Sequence, residues 1–77
     1  MNKARRKLLE KASGLLSEAR TIIEDVRDEE QEAYDNLPES LQSSERGEQM
    51  EEIIYNLEEY LSNIEDAESG IDEIVYN

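Results

Sequence analysis

A 77-residue chain with 21 acidic and eight basic side chains, net −13, has room for one small domain and disfavours contact with bare nucleic acid. It contains neither Cys nor His, which excludes disulfides, thiolate metal sites and imidazole chemistry. No apolar run reaches membrane-spanning length, and the basic start lacks the continuous apolar core of a secretory signal, so a soluble, cytoplasmic protein is predicted.

The charge is unevenly distributed. Residues 1–23 carry six basic and two acidic side chains, net +4; residues 24–52 carry two basic and twelve acidic, net −10; residues 53–77 carry seven acidic and none basic, net −7. An acidic, polar composition can signal disorder, but here a regular apolar period argues for a folded chain.

The first helix is predicted over about 3–36. Large apolar residues recur in pairs at Leu8/Leu9, Leu15/Leu16 and Ile22/Ile23, with Ala12, Ala19, Val26 and Ala33 as a mostly small third position. Three apolar residues per seven give a wider face than a two-stranded seam requires. Gly14 falls on the outer face, where it is tolerated. Pro38 disfavours helical geometry at Leu37 and ends the helix. Residues 37–43 then form a tight connection in which Leu37 and Leu41 are expected to turn inward. Ser43 or Ser44 is the natural N-cap of a second helix over 44–76, with Glu45 and Glu48 suited to its positive end. Gly47 is expected only to weaken that first turn slightly.

The second helix is the most regular stretch. From Met50 it divides into four seven-residue units, MEEIIYN, LEEYLSN, IEDAESG and IDEIVYN. Each begins with an apolar residue (Met50, Leu57, Ile64, Ile71) followed by two acids. The fifth position adds Ile54, Leu61 and Val75, and Glu68 is the exception. This is the seam of a helix that packs on another helix. The fold class predicted is all-α: an antiparallel two-helix coiled-coil hairpin, a single domain over 1–77, that dimerises into a four-helix bundle because its apolar faces exceed what one hairpin covers.

Folding the helices so that opposed residue numbers add to 87 gives a helix–helix interface of Leu9, Leu16, Ile23, Val26, Met50, Ile54, Leu57, Leu61, Ile64 and Ile71. Its layers include Ala12–Val75, Leu16–Ile71, Ile23–Ile64, Val26–Leu61 and Ala33–Ile54. That register sets Arg20 beside Glu65 and Arg27 beside Glu58, and brings the basic start (Lys3, Arg5, Arg6, Lys7, Lys11) to Asp72 and Glu73 as an intramolecular charge match. Three acids interrupt the apolar rows, namely Glu29, Glu30 and Glu68, the last facing Ala19. A buried carboxylate is unfavourable unless paired or protonated, so the stripe is expected to fray there and release them to water; the alternative is that they restrict oligomer choice.

Carboxylates are abundant, but no calcium loop is present: Asp66-Ala-Glu68-Ser-Gly70 lies inside a helical repeat and the twelfth position is Asn77. Di-iron bundles need Glu-x-x-His. Two helices enclose no pocket to separate carboxylate pKa values. No catalytic, cofactor or metal site is therefore predicted. What remains is interaction. Glu51, Glu52, Glu58, Glu59, Glu65, Asp66, Asp72 and Glu73 line one flank, and no cationic side chain follows Arg46. Solvated helices ordinarily intersperse both signs, so this flank is a candidate contact for a basic protein surface, with the loop around Asp35–Glu48 as a second contact. The rival reading is a structural coiled coil that acts through self-association or helix pairing with a partner.

The stretch over 27–74, with DEEQEAYDNLPESLQSSERGEQMEE leading into LEE-type repeats, resembles a group of small acidic coiled-coil proteins of bacteria and their phages. The resemblance implies a helical hairpin of mobile-element origin working in a bacterial host cell, and carries no established activity. In charge and size the chain is also similar in type to phage anti-restriction and anti-CRISPR inhibitors that occupy DNA- or RNA-binding clefts. That likeness implies a DNA mimic and transfers no residue.

Overall fold

A computed structural model describes all 77 residues and contains three helices, α1 (Lys3–Asp35), α2 (Glu39–Gln42) and α3 (Glu45–Tyr76), with no strand. The two long helices pack along each other in a rod of 58 × 14 × 13 Å. A 32-residue helix at ~1.5 Å rise is about 48 Å long, so two helices side by side account for this shape. No helix is long and apolar enough to cross a membrane.

Local chemistry sets the helix ends. The Asn2 side chain accepts from the Arg5 N–H at 2.8 Å and caps α1. At the other end the Gln42 side-chain amide donates to the carbonyls of Tyr34 and Leu37, both at 3.2 Å, adding to the Leu37 N–H bond that the Tyr34 carbonyl already accepts. Pro38 stops α1 as expected, but the connection is not extended: its carbonyl accepts from Leu41 and Gln42 and starts the single turn α2. Ser44 is the N-cap of α3, its hydroxyl accepting from the Gly47 N–H.

Gly47 is not the mild weakness expected of it. It is buried, and a Cβ there would lie 2.6 Å from the Leu41 carbonyl oxygen and closer still to the Gln42 carbonyl. The first turn of α3 packs onto the end of α2 only because position 47 has no side chain. Leu37 is half-buried as expected, whereas Leu41 is 44% exposed and does not turn inward.

The core is thin and one-sided. Its buried residues are Met50, Ile54, Leu61 and Val75, together with Gly47, and all belong to α3. The inward series of α1 runs in steps of three and four, with half-buried Leu9, Leu16, Ile23, Glu30 and Leu37 alternating with Ser13, Arg20, Arg27 and Tyr34, half-buried as well. Ala12, Val26 and Ala33 were expected to face Val75, Leu61 and Ile54. Instead Arg27 and Tyr34, the next residues along, are half-buried while Val26 is 48% exposed and Ala33 is exposed; Ala12 and its neighbour Ser13 are both half-buried. Since successive residues sit about 100° apart on a helix, α1 is turned by roughly half that angle from the expected orientation.

The hydrogen bonds give the reason. Glu68 interrupts the apolar seam of α3, and an unpaired carboxylate there is unfavourable. Turning α1 brings in Arg20, whose Nε donates to Glu68 at 2.9 Å. The same rotation lets Ser13 donate to Asp72 at 3.0 Å and the Tyr34 hydroxyl donate to Glu51. These three cross-helix pairs have residue numbers adding to 85, 88 and 85. The axial register therefore lies within two residues, about 3 Å, of the expected one.

Candidate protein-binding surfaces

The expected ion pairs are replaced. Arg20 bridges Glu68 on α3 and Glu24 on its own helix, at 2.9 and 3.2 Å, and does not reach Glu65. Arg27 pairs with its neighbour Asp28 at 2.9 Å, and not with Glu58. None of Lys3, Arg5, Arg6, Lys7 or Lys11 forms an ion pair, so the charge match between the basic start and Asp72/Glu73 is not made within the chain; Ser13 holds Asp72.

The three acids in the apolar rows have different fates. Glu29 is exposed and Glu30 half-buried. Glu68 is not released to water: its side chain is 16% exposed and held by Arg20. The guanidinium is pushed above its usual pKa by its hydrogen bond to Glu68 first, and by that carboxylate's charge and Glu24 in addition. The Tyr34 phenol is likewise pushed above 10.0, mainly because it donates to Glu51 and would become an anion beside it.

All eight residues of the acidic flank are exposed. Glu51 accepts from Tyr34 and Asp72 from Ser13, and the other six make no side-chain hydrogen bond or ion pair. No Lys or Arg neutralises any of the eight. They occupy the two adjacent heptad rows of α3 on the side where the cross-helix hydrogen bonds lie. No group of three carboxylates converges closely enough to share a cation.

The opposite side of the hairpin is apolar. In this antiparallel pair, the row just before the fifth-position seam row of α3 (Ile54, Leu61, Glu68, Val75) and the row just before the polar seam row of α1 (Ser13, Arg20, Arg27, Tyr34) fall on the same side of the two helices. On α1 that row is Ala12, Ala19, Val26 and Ala33; on α3 it is Ile53, Tyr60, Ala67 and Ile74. The next row of α1 adds Leu8, Leu15 and Ile22. Leu8 is 67% exposed, Ile22 63%, and Leu15, Tyr60, Ile74, Ile53 and Val26 about half exposed. Contiguous apolar surface of this extent marks an interaction site more often than an ordinary solvated face. An open depression lined by Met1, Arg5, Leu8 and Leu9 lies at one end of this side.

Of the expected interface, Met50, Ile54 and Leu61 are buried, and Leu9, Leu16, Ile23, Leu57, Ile64 and Ile71 are half-buried; Val26 belongs to the open apolar side. Ser13, Arg20, Tyr34 and Glu68 are the cross-helix contacts that apolar periodicity did not show. Their signal was a polar row every seven residues, Arg6, Ser13, Arg20, Arg27 and Tyr34.

No protein-family model, curated protein or solved structure matches the chain.

Proposed function

We propose that this chain is a non-enzymatic acidic binding module, working as a homodimer in a bacterial cytoplasm, whose acidic flank docks on the basic surface of a nucleic-acid-processing or defence protein. The observation that supports this most is the flank itself: eight exposed carboxylates along four heptads with no cation among them. A flank serving only solubility gains nothing from excluding lysine, whereas a surface meeting a basic groove gains specificity and association rate from a single sign.

The spacing limits what the flank can imitate. Eight charges over about four heptads is roughly one per 5 Å, against one per ~1.7 Å on duplex DNA and ~3.4 Å on one strand. The flank stands in for part of one strand, and a dimer adds a second stripe. In the inhibitor setting that its likeness to phage anti-restriction proteins suggests, it would occupy a cleft otherwise used by DNA or RNA.

Replacing Glu51, Glu52, Glu58 and Glu59 together by Gln keeps helix propensity and removes four charges. The variant is expected to lose a partner captured from host lysate by the wild-type chain, and that capture should fall steeply between low and high salt. Unchanged capture by the Gln variant would sink this reading. The exposed apolar side favours a second reading, a structural coiled coil acting through helix pairing. Capture that resists salt and vanishes on mutation of the apolar side would establish that one instead.

A further inference from the structure

The apolar side carries a second regular series on α1, separate from the seam against α3. Leu8, Leu15 and Ile22 recur every seven residues, with Ala12, Ala19 and Val26 between them. The same steps of three and four continue to a charge at each end, Arg5 before Leu8 and Glu29 after Val26. The series is complementary to its own reverse. About its midpoint, position 5 matches 29, 8 matches 26, 12 matches 22 and 15 matches 19. A base meets an acid, and each leucine or isoleucine meets Val or Ala.

We propose that a second copy of the chain covers this side with its α1 antiparallel to the first, so that Arg5 of each copy pairs with the partner's Glu29. This deepens the homodimer in the functional reading above and rests on it. Arg5 and Glu29 are both exposed and without an ion pair within the chain, although each stands in an otherwise apolar series. The alternation of large and small residues lets two helices approach closely, as a series of leucines alone would not.

Charge fixes the orientation. Residues 28–60, which form the turn end of the hairpin, carry twelve acids and one base, net −11; the remaining residues carry nine acids and seven bases, net −2. Joining two turn ends at the same end of a bundle would set −11 against −11. The antiparallel arrangement sets the basic start of each α1 against the partner's acidic turn end. The distribution along α1 is also the reverse of what an isolated helix favours. Its first turn holds bases and no acid, and its last turn no base, opposing the helix dipole. An antiparallel neighbour turns that intrahelical liability into attraction between chains.

The size is adequate. A stable interface removes about 800 Å² from each partner, about one-seventh of the 5766 Å² that this hairpin exposes, and one long side of the rod can supply it. The acidic flank lies on the other side and stays free for a different partner.

The natural chain has no cysteine, which allows a clean test. Light scattering at tens of micromolar should give twice the 8.9 kDa of one chain, and Leu15→Glu should return it to a single chain with helical circular dichroism retained. Arg5→Glu and Glu29→Arg should each weaken the dimer by about three- to thirty-fold, since the dimer contains two such exposed pairs. The double exchange should restore affinity to within about threefold of the wild type. On mild oxidation a chain with both Arg5→Cys and Glu29→Cys should form a disulfide-linked dimer. Neither single variant should, because like-numbered cysteines would lie about 36 Å apart. A doubled mass without rescue by the exchange, or with Arg5→Cys linking to itself, overturns this orientation and leaves the homodimer standing. A wild-type mass of one chain overturns both. Either result leaves the acidic flank to its own test with the Gln variant.

Discussion

The two long helices carry similar numbers of apolar residues, 12 of 33 in α1 and 13 of 32 in α3, and use them differently. On α3 the apolar residues are centred on the seam against α1, and four of them are buried. On α1 they are offset toward one side, so that half the seam is polar and no residue is buried. One helix is therefore the core of the hairpin and the other shares its apolar face between that core and the outside. The difference shows that a heptad count measures how much apolar surface a helix carries, but not the direction in which it faces.

Truncations test that contrast most strongly. Leu61→Ala removes a buried side chain and is expected to destabilise by about 2–5 kcal/mol, read as a lower urea midpoint. Leu16→Ala, at a half-buried α1 position, should cost clearly less. Ile22→Ala should cost little at nanomolar concentration and more as concentration rises, if its face is covered by another chain. Equal, concentration-independent losses at all three positions would break the comparison.

Gly47→Ala is expected to come next. The added Cβ meets two backbone carbonyls that cannot move aside, and overpacking of this kind costs about 1–3 kcal/mol. Gly14→Ala, where nothing lies within 4 Å, should instead add up to about 1 kcal/mol of stability through helix propensity, read as a higher midpoint. A Gly47→Ala chain as stable as the Gly14→Ala chain would show that the α2–α3 junction is looser than drawn.

Replacing Arg20 and Glu68 together by Leu would remove the one ion pair that joins the two seams. We expect a higher midpoint, because apolar residues often outperform a half-buried ion pair. We also expect a broader distribution of masses by light scattering, since the pair no longer fixes how α1 is turned. An unchanged, single mass would show that the pair does not select the packing.

The smallest effect concerns Tyr34. Its folded pKa lies above the unfolded value near 10.0, so its bond to Glu51 contributes stability that is fully present below pH 10. That stability is lost as pH rises through the raised value. Ultraviolet titration should find Tyr34 ionising at a higher pH in the wild type than in a Glu51→Gln chain. A titration curve unchanged by Glu51→Gln would remove this contact.

The sequence by itself determined the two long helices, the place of the turn between them and the axial register to within about 3 Å, but not the single helical turn α2 inside the connection. Each rests on local or periodic chemistry: Pro38 as a stop, Ser44 as a cap, and a seven-residue repeat that runs the length of α3. It also determined the acidic flank, because residues seven apart in a heptad repeat line up along one row wherever the helix is placed. Only the tertiary structure decided how α1 is turned about its own axis, and with it the pairing of Glu68 with Arg20 and the exposure of Val26. Apolar periodicity alone favoured Ala12, Val26 and Ala33 as the inward row, but that choice leaves a carboxylate unpaired on the facing helix. The polar row one residue along satisfies it, and a cross-helix hydrogen bond of this kind depends on two stretches 48 residues apart. The same holds for Gly47, whose need to be small comes from the carbonyls of α2 folding back over it.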